Sequence, residues 1–222
     1  MAAAKGLWPF EGKAAIFDFD GTLANTAHIW HKVDHIFLER RGLPYPTGYG
    51  DALAALGFAK GAQYTIDLFG LNETVQEVCD EWNDLGREMY RRTVMLRDGA
   101  EQYIRALRQM GIPCALATTN DVAVVTSMRN MNPSELFDTC VYGAEVGKGK
   151  DEPDIYLEAA RRIDAAPSDC IVFEDIVVAV RSARSVGMRT CGVNSSDPTQ
   201  PVDELRTASD LWLDDWLDIP LQ

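Results

Sequence analysis

Short apolar runs alternate with amphipathic stretches along most of this chain. The first run, KAAIFDFDGT at 13–22, is apolar until it ends abruptly in acids and a glycine. Short apolar runs bounded by polar or turn residues are typical of strands that are buried on both faces. Five further runs share this pattern: IPCALATT (112–119), TCVYG (139–143), DCIVFED (169–175), MRTCGV (188–193) and the shorter DLWLDDW (210–216).

The stretches between these runs carry helix signals. AEQYIRALRQMG (100–111) and IVVAVRSARSVG (176–187) both stop at a glycine, which is a natural helix C-cap. EPDIYLEAARRI (152–163) has Pro and Asp in its first turn, where both are favoured. Because strands alternate with helices of this length, the pattern predicts an α/β fold with a doubly wound parallel sheet and right-handed crossovers.

Residues 24–95 show a different pattern, with few β-branched runs and many apolar residues at spacings of three and four. Two segments carry it most clearly, TAHIWHKVDHIFLERRG and VQEVCDEWNDLGREMYRR. We therefore predict two domains. An α/β core takes residues 1–23 and 96–222, and a helical cap domain, inserted after the first strand, takes residues 24–95.

Charge narrows the range of partners. The 222 residues include 21 Lys and Arg against 34 Asp and Glu, a net charge of −13. A surface this acidic repels a phosphate backbone, which argues against nucleic acid as a partner. No apolar run approaches the roughly 18 residues of a membrane span, so we expect no membrane partner. The N-terminal MAAAKGLWPFEGK is too short and too broken by Trp-Pro for a signal peptide.

The cysteines point to a reducing compartment. There are five, an odd number, and no CxxC motif. Four of them lie in or beside the predicted strands, where a thiol acts as a small buried hydrophobe. This usage predicts a cytoplasmic protein without disulfides. The five are Cys79, Cys114, Cys140, Cys170 and Cys191.

Polar side chains follow the predicted strands. In open parallel sheets, ligands bind outside the carboxyl ends of the strands, so these residues should meet at one edge. Gathered carboxylates repel one another unless a cation lies among them, and an all-oxygen donor set suits Mg²⁺. The sequence thus predicts a Mg²⁺ site shaped for a phosphoryl group. The strand-end residues are Asp18, Asp20, Thr118, Thr119, Asn120, Lys148, Lys150, Glu174 and Asp175.

Four segments, in this order, resemble the motifs of the haloacid dehalogenase-like (HAD) superfamily: DFDGTLANT (18–26), ALATTN (115–120), KDEPDIY (150–156) and VFED (172–175). The resemblance extends over residues 13–215. The first motif alone is a moderate signal, whereas the ordered set is strong. The helical insertion resembles the cap of subfamily I, to which phosphoglycolate phosphatases and β-phosphoglucomutases belong.

This resemblance implies a mechanism. Asp18 would be the nucleophile that forms an aspartyl-phosphate. Asp20 would protonate the leaving oxygen and later activate water. Mg²⁺ would be bound by Asp18, the main-chain carbonyl of Asp20 and Asp175, with Glu174 bound directly or through water. As an alternative or additional role, Glu174 and Asp175 would cap the helix that follows them.

The remaining roles are implied with competitors. Thr118 would hydrogen-bond a phosphoryl oxygen, assisted by the backbone of Thr119 and Asn120, although Thr119 competes for its place. Lys150 would neutralise charge on Asp18 and the phosphate. Lys148 is its competitor, and the PDIY register favours Lys150.

Some residues depart from the family pattern. Asn25, Ile176 and Ala179 differ from the usual residues, and Lys150 is followed by Asp-Glu rather than Pro. β-Phosphoglucomutases carry a cap histidine ten residues after the acid/base aspartate, and Trp30 stands there in this chain. Trp30 is therefore a candidate substrate contact, with packing inside the cap as the alternative.

Three histidines, at positions 28, 31 and 35, have spacings of three and four on the first insertion helix. We expect surface or cap-core positions for them rather than a metal site, because no cysteine or fourth histidine accompanies them.

The sequence predicts a Mg²⁺-dependent phosphatase acting on a small phosphorylated metabolite, a sugar phosphate in particular. The alternatives are a hexose-phosphate mutase and a non-catalytic, phosphate-binding regulatory protein. The intact set of Asp18, Asp20, Lys150 and Asp175 opposes the last of these. The oligomeric state is left open.

Overall fold

A computed structural model describes residues 12–220 of the chain. Most of the N-terminal stretch considered above as a signal-peptide candidate, and the two C-terminal residues, lie outside the described part, as do those ends of the predicted core domain. Six parallel strands form one sheet in the order β3-β2-β1-β4-β5-β6. They are β1 (Ala14–Phe17), β2 (Cys114–Thr118), β3 (Thr139–Tyr142), β4 (Cys170–Glu174), β5 (Arg189–Val193) and β6 (Leu211–Leu213).

Eleven α-helices connect or follow these strands in the described residues. They are α1 (Ala27–Glu39), α2 (Tyr49–Leu56), α3 (Phe58–Phe69), α4 (Val75–Thr93), α5 (Ala100–Gln109), α6 (Val122–Val125), α7 (Pro133–Leu136), α8 (Gly143–Val146), α9 (Asp154–Arg162), α10 (Val177–Ser185) and α11 (Val202–Ala208).

The predicted doubly wound parallel sheet is confirmed. Each of the six apolar runs forms a strand, and β1 lies between β2 and β4. The helices α5, α9 and α10 occupy the three predicted helical stretches of the core. After α5 and α10 the chain reverses at Gly111 and Gly187, which adopt positive φ values of 79° and 83°.

Neighbouring strand residues point to opposite sides of the sheet, and a hydrophobic cluster covers each side. On one face, the rings of Phe17 and Phe173 stack with centroids 4.7 Å apart and pack with Tyr103 of α5. On the other face, Ile16 packs in one cluster with Tyr156 of α9. Fully burying one such apolar side chain contributes about 1.5–3 kcal/mol, so these residues stabilise the centre of the sheet.

The four helices α1–α4, here called the insertion helices, have a hydrophobic cluster of their own. Phe37 of α1, Tyr49 of α2, Ala62 of α3 and Trp82 of α4 are all buried in it. α1 and α4 occupy the two stretches that the sequence marked as helical, and α4 begins with a capping box between Thr74 and Glu77.

The thiols are placed much as expected. Cys114, Cys170 and Cys191 are buried in β2, β4 and β5, and Cys140 in β3 is partly buried. Cys79 lies on α4. Between residues 12 and 220, no helix combines the length and the apolar content that crossing a bilayer requires.

Candidate active site

Asp18, Lys150 and Glu174 meet at the carboxyl edge of the sheet. The backbone N–H of Asp18 donates to the carbonyl of Phe173 at 3.0 Å, which extends the pairing of β1 with β4. The Lys150 ammonium contacts Oδ1 of Asp18 and Oε1 of Glu174. The hydroxyl of Tyr156 donates to the same Glu174 oxygen at 2.7 Å. These four side chains are buried, so their charges interact with little screening by water.

Lys150 is the lysine that reaches the site. Lys148 points to the surface, where its ammonium lies 2.7 Å from Glu152 and 3.1 Å from Asp154. Lys150, which the PDIY register favours, is therefore the lysine beside Asp18. Tyr156 of α9 packs against the sheet and binds Glu174, which places the preceding segment, with Lys150, at the site.

The carboxylates outnumber the cation. Burial, and then the charge of Asp18, raise the pKa of Glu174 to about 7. Burial, Asp18 and Glu174 raise the pKa of Asp175 well above its usual range. Burial alone would lower the pKa of Lys150, but the neighbouring Asp18 and Glu174 outweigh it and raise that pKa. The site thus carries more negative charge than Lys150 can balance.

The residues present fit a divalent cation. Asp18, Glu174 and Asp175 each place a carboxylate oxygen within 4.8 Å of the others. Oδ2 of Asp18 is buried, and within the described chain no hydrogen-bond donor reaches it. Both oxygens of Glu174 accept hydrogen bonds, one of them from the backbone N–H of Asp175 at 3.1 Å. An all-oxygen set with one unpartnered buried atom suits Mg²⁺, and direct ligation by Glu174 stays a prediction.

Gly21 makes the close approach of Asp175 possible. Its φ of 78° lies in the left-handed region, where the chain reverses after the Asp-x-Asp pair. A Cβ atom at this position would lie 1.9 Å from Oδ2 of Asp175. The glycine of the first motif therefore serves both the turn and the placement of a carboxylate that comes from another strand.

We predict that Gly21→Ala weakens Mg²⁺ binding by at least about tenfold, or about 1.4 kcal/mol, because Asp175 must move away from the added methyl group. Titration calorimetry with Mg²⁺ measures the affinity. Gly187→Ala is the matched control, since Gly187 also has a positive φ, 83°, but a Cβ there meets nothing within 4 Å. Equal affinities in Gly21→Ala and wild type would contradict this role of the glycine.

Asp20 is held by donors from two directions. The hydroxyl of Tyr90, near the end of α4, donates to Oδ1, and the amide of Asn120 donates to Oδ2. The indole N–H of Trp30 donates in turn to the Tyr90 hydroxyl at 3.2 Å. Burial, and next the charge of Asp18, raise the pKa of Asp20. The insertion helices thus reach the second aspartate of the motif through hydrogen bonds.

Thr118, the last residue of β2, and Thr119, which follows it, differ in their surroundings. Oγ1 of Thr118 accepts a hydrogen bond from the backbone N–H of Asn120 at 3.2 Å, and the side chain is buried. Thr119 and Asn120 line the cavity described next. Contact of Thr118 with a phosphoryl oxygen stays a prediction.

A cavity of about 220 Å³ lies between the edge of the sheet and the insertion helices. It is lined by the strand-end residues Asp18, Asp20, Lys150 and Asp175, and from the insertion helices by, among others, Trp30, His31, Asp34, Phe58 and Trp82. His31, unlike the exposed His28 and His35, faces this cavity.

The insertion helices also contact the core at the segment that carries Lys150. Lys60 of α3 pairs with Asp151 at 3.2 Å and with Glu152 at 3.4 Å. These two acids are the residues that stand where the family usually has Pro. A Cβ at Gly149 would lie 2.5 Å from the carbonyl oxygen of Leu56, so the two backbones are in close contact.

Three residues of the site were missed by the sequence reasoning. Tyr156 is part of the PDIY segment, which served only to choose between two lysines. Tyr90 continues the spacing of four that begins with Trp82 and Gly86 on the buried face of α4. Asp34 follows Trp30 at the same spacing, and an acid on an apolar helix face is a signal that could have been used.

The chain is similar in sequence and in fold to known proteins. Residues 13–187 match the family described as haloacid dehalogenase-like hydrolase. A probable pseudouridine-5'-phosphatase of Drosophila melanogaster is 31% identical over 181 residues, 78% of this chain and 78% of that protein. The β-phosphoglucomutase of Bacillus subtilis is 26% identical over 91% of this chain and 92% of that protein. A solved HAD hydrolase of family IA, variant 3, from Entamoeba histolytica superposes with a TM-score of 0.80 at 27% identity, covering 94% and 96% of the two chains.

Proposed function

The chain belongs to the haloacid dehalogenase-like hydrolases and is a phosphoric monoester hydrolase, and from this premise we propose that it is a Mg²⁺-dependent phosphatase acting on a small sugar phosphate through an aspartyl-phosphate at Asp18. The observation that carries the proposal is the unpartnered, buried Oδ2 of Asp18 beside Lys150 and Asp175, in the lining of a cavity between the sheet and the insertion helices.

In the first step, a carboxylate oxygen of Asp18 attacks the phosphorus atom of the substrate. The bond between phosphorus and the ester oxygen breaks, and the leaving oxygen takes a proton from Asp20. Burial and the nearby Asp18 raise the pKa of Asp20, which favours the protonated form that this step requires. The products of the step are a free alcohol and a phosphorylated Asp18.

In the second step, Asp20 accepts a proton from a water molecule, and the water oxygen attacks the same phosphorus atom. The bond to Asp18 breaks, which releases inorganic phosphate and restores the carboxylate. Tyr90 and Asn120 keep Asp20 in place between the two steps, because each donates to one of its oxygens.

Charge stabilisation is the main catalytic effect in this proposal. Lys150 balances the charge of Asp18 and of the phosphoryl oxygens, and Tyr156 with Glu174 fixes its position. Asp18, Asp175 and the main-chain carbonyl of Asp20 would hold Mg²⁺, which supplies further positive charge to the phosphoryl group when bound. Thr118 and the backbone of Thr119 and Asn120 would hydrogen-bond the phosphoryl oxygens.

The insertion helices are proposed to act as a cap that excludes water and contacts the leaving group. The two connections between cap and core run side by side, since Ala24 forms an antiparallel bridge with Leu96. This supports domain boundaries at 23/24 and 95/96. The free thiols and the acidic charge are consistent with a cytoplasmic protein that does not bind nucleic acid.

A hexose-phosphate mutase is the second candidate, favoured by the similarity to the Bacillus enzyme. A mutase must keep water away from its aspartyl-phosphate while the intermediate turns over. In this chain Trp30 stands where β-phosphoglucomutases place a cap histidine, and its indole is engaged by Tyr90. We therefore propose that water reaches the phosphorylated Asp18 and that hydrolysis dominates.

The test is a panel of phosphorylated metabolites with Mg²⁺, assayed for phosphate release. We expect hydrolysis of at least one sugar phosphate and its loss in EDTA, with recovery when Mg²⁺ is restored. β-Glucose 1-phosphate with a trace of glucose 1,6-bisphosphate is the mutase arm. Glucose 6-phosphate forming much faster than free phosphate would establish the mutase instead. Phosphate binding without turnover of any substrate would establish the non-catalytic alternative.

A further inference from the structure

The cavity is acidic beyond its strand-end carboxylates. Asp34, Asp51 and Asp197 also line it, from α1, α2 and the loop after β5. Asp34 is 6% exposed, and the side chain of Asp197 is 14% exposed. The leaving group must lie in this cavity once its phosphoryl group is at Asp18. Building on the proposed function, we infer that the leaving group bears no negative charge and is a neutral, hydroxyl-bearing or cationic group.

The basic side chains in the described lining of this cavity already have partners. Among the lining residues that the structure describes, Lys150 is the sole Lys or Arg, and it is bound by Asp18 and Glu174. Nδ1 of His31 lies 3.1 Å from the hydroxyl of Tyr45, and its Nε2 lies 3.8 Å from Oδ2 of Asp197. A carboxylate or second phosphate on the substrate would therefore enter a negative region with no free cation to receive it.

The same cavity offers a partner for hydroxyl groups. Asp34 can accept from a substrate O–H or N–H. The rings of Trp30 and Phe58 lie edge to face with centroids 5.3 Å apart and supply apolar wall. Aromatic faces also attract cations, so an amine is accepted where a carboxylate is not.

Three aryl phosphates that differ mainly in the charge of one substituent test this inference. They are 4-(carboxymethyl)phenyl, 4-(2-hydroxyethyl)phenyl and 4-(2-aminoethyl)phenyl phosphate. They are similar in size and in leaving-group reactivity, because at least one methylene separates each polar group from the ring. Like charges brought together without a counter-ion repel strongly. We expect kcat/KM for the anionic substrate to be at least about 100-fold below that for the neutral one, and the cationic substrate to match or exceed the neutral one.

A pair of variants places the effect at the cavity. Burial raises the pKa of Asp34 to about 7, so the variants are compared at about pH 8, where its carboxylate is ionised. There Asp34→Asn should raise kcat/KM for the anionic substrate relative to the neutral one by about tenfold, and lower the preference for the cation. Asp67→Asn is the matched control, because it removes the same charge from an exposed position on α3, where Asp67 accepts a hydrogen bond from Gln63. This control should leave all ratios at their wild-type values.

The outcomes separate the two proposals. If the wild type hydrolyses all three substrates with similar kcat/KM, or prefers the anion, the inference about the leaving group is wrong and the phosphatase stands. Equal shifts in Asp34→Asn and Asp67→Asn would show a general charge effect and overturn the assignment to the cavity wall. Failure to hydrolyse any aryl phosphate would overturn the proposed function, and this inference with it. The wild-type charge series decides the inference even if Asp34→Asn does not fold.

Discussion

Asp18→Asn should lower the rate of phosphate release by about 10⁴-fold or more, the order of loss expected when a covalent nucleophile is removed. The amide keeps the shape of the side chain but cannot attack phosphorus, and it removes a charge from the cation site. The fold should survive, because Lys150 retains its contact with Glu174 and the backbone of Asp18 retains its bond to Phe173.

The measurement is turnover of 4-nitrophenyl phosphate with and without EDTA, together with thermal unfolding of each variant. Asp67→Asn, the exposed control, should keep wild-type activity. In the wild type, borohydride should reduce the acyl phosphate formed with substrate, and mass spectrometry should locate the change at Asp18. Wild-type turnover in Asp18→Asn would show that the aspartyl-phosphate mechanism is wrong.

Asp20→Asn should slow turnover by about 10²–10⁴-fold, the usual value of a positioned acid or base, while the affinity for a phosphate mimic such as a metal fluoride is retained. The affinity is spared because the cation is expected to contact the main-chain carbonyl of Asp20, which the substitution leaves in place. The loss should grow as the leaving alcohol becomes less acidic, since a poor leaving group depends more on protonation.

Tyr90→Phe is a milder test of the same role. It removes the hydroxyl that donates to Asp20 without emptying the space of the ring, which lies in the hydrophobic core. Its loss in kcat should show the same dependence on the leaving group at smaller size. A uniform loss for alkyl and aryl phosphates alike would assign Tyr90 to packing, and a loss confined to affinity in Asp20→Asn would contradict the acid/base role.

The sheet could be predicted because its central strands β1, β2 and β4 are buried along their whole length, so each appears in the sequence as a short apolar run. The edge of the site followed from the same runs, since Asp18, Thr118 and Glu174 come at or directly after the ends of three strands. The spatial order of the strands could not be predicted from local sequence, because β1 pairs with β2 and β4, which follow it by about one hundred residues or more.

The helices of the insertion were harder to predict from the sequence. α2 and α3 were not distinguished, because they meet at Gly57, whose φ is 73°, and because short helices with glycines carry a weak periodicity. α3 packs against α4, and α2 packs against α3, where Gly61 leaves room for Leu53 of α2.

Contacts across the site were the hardest to foresee. Tyr90 and Asp20 are seventy residues apart in the chain, and nothing in either neighbourhood specifies the other. The family motif identified Lys150 but did not explain Asp151 and Glu152, which were noted only as differences from the usual Pro. In the structure both form ion pairs with Lys60 of α3. Those ion pairs depend on how the insertion helices are placed against the core.

The ion pairs of Lys60 with Asp151 and Glu152 make the contact between the insertion helices and the core sensitive to salt concentration. These side chains are exposed, and at physiological ionic strength charges in water are screened over about 8 Å, so added salt weakens their attraction. The ion pairs of Lys150 are buried and are far less affected. We therefore expect ionic strength to change how firmly the insertion helices close over the cavity, while the buried contacts of Asp18, Lys150 and Glu174 keep their alignment.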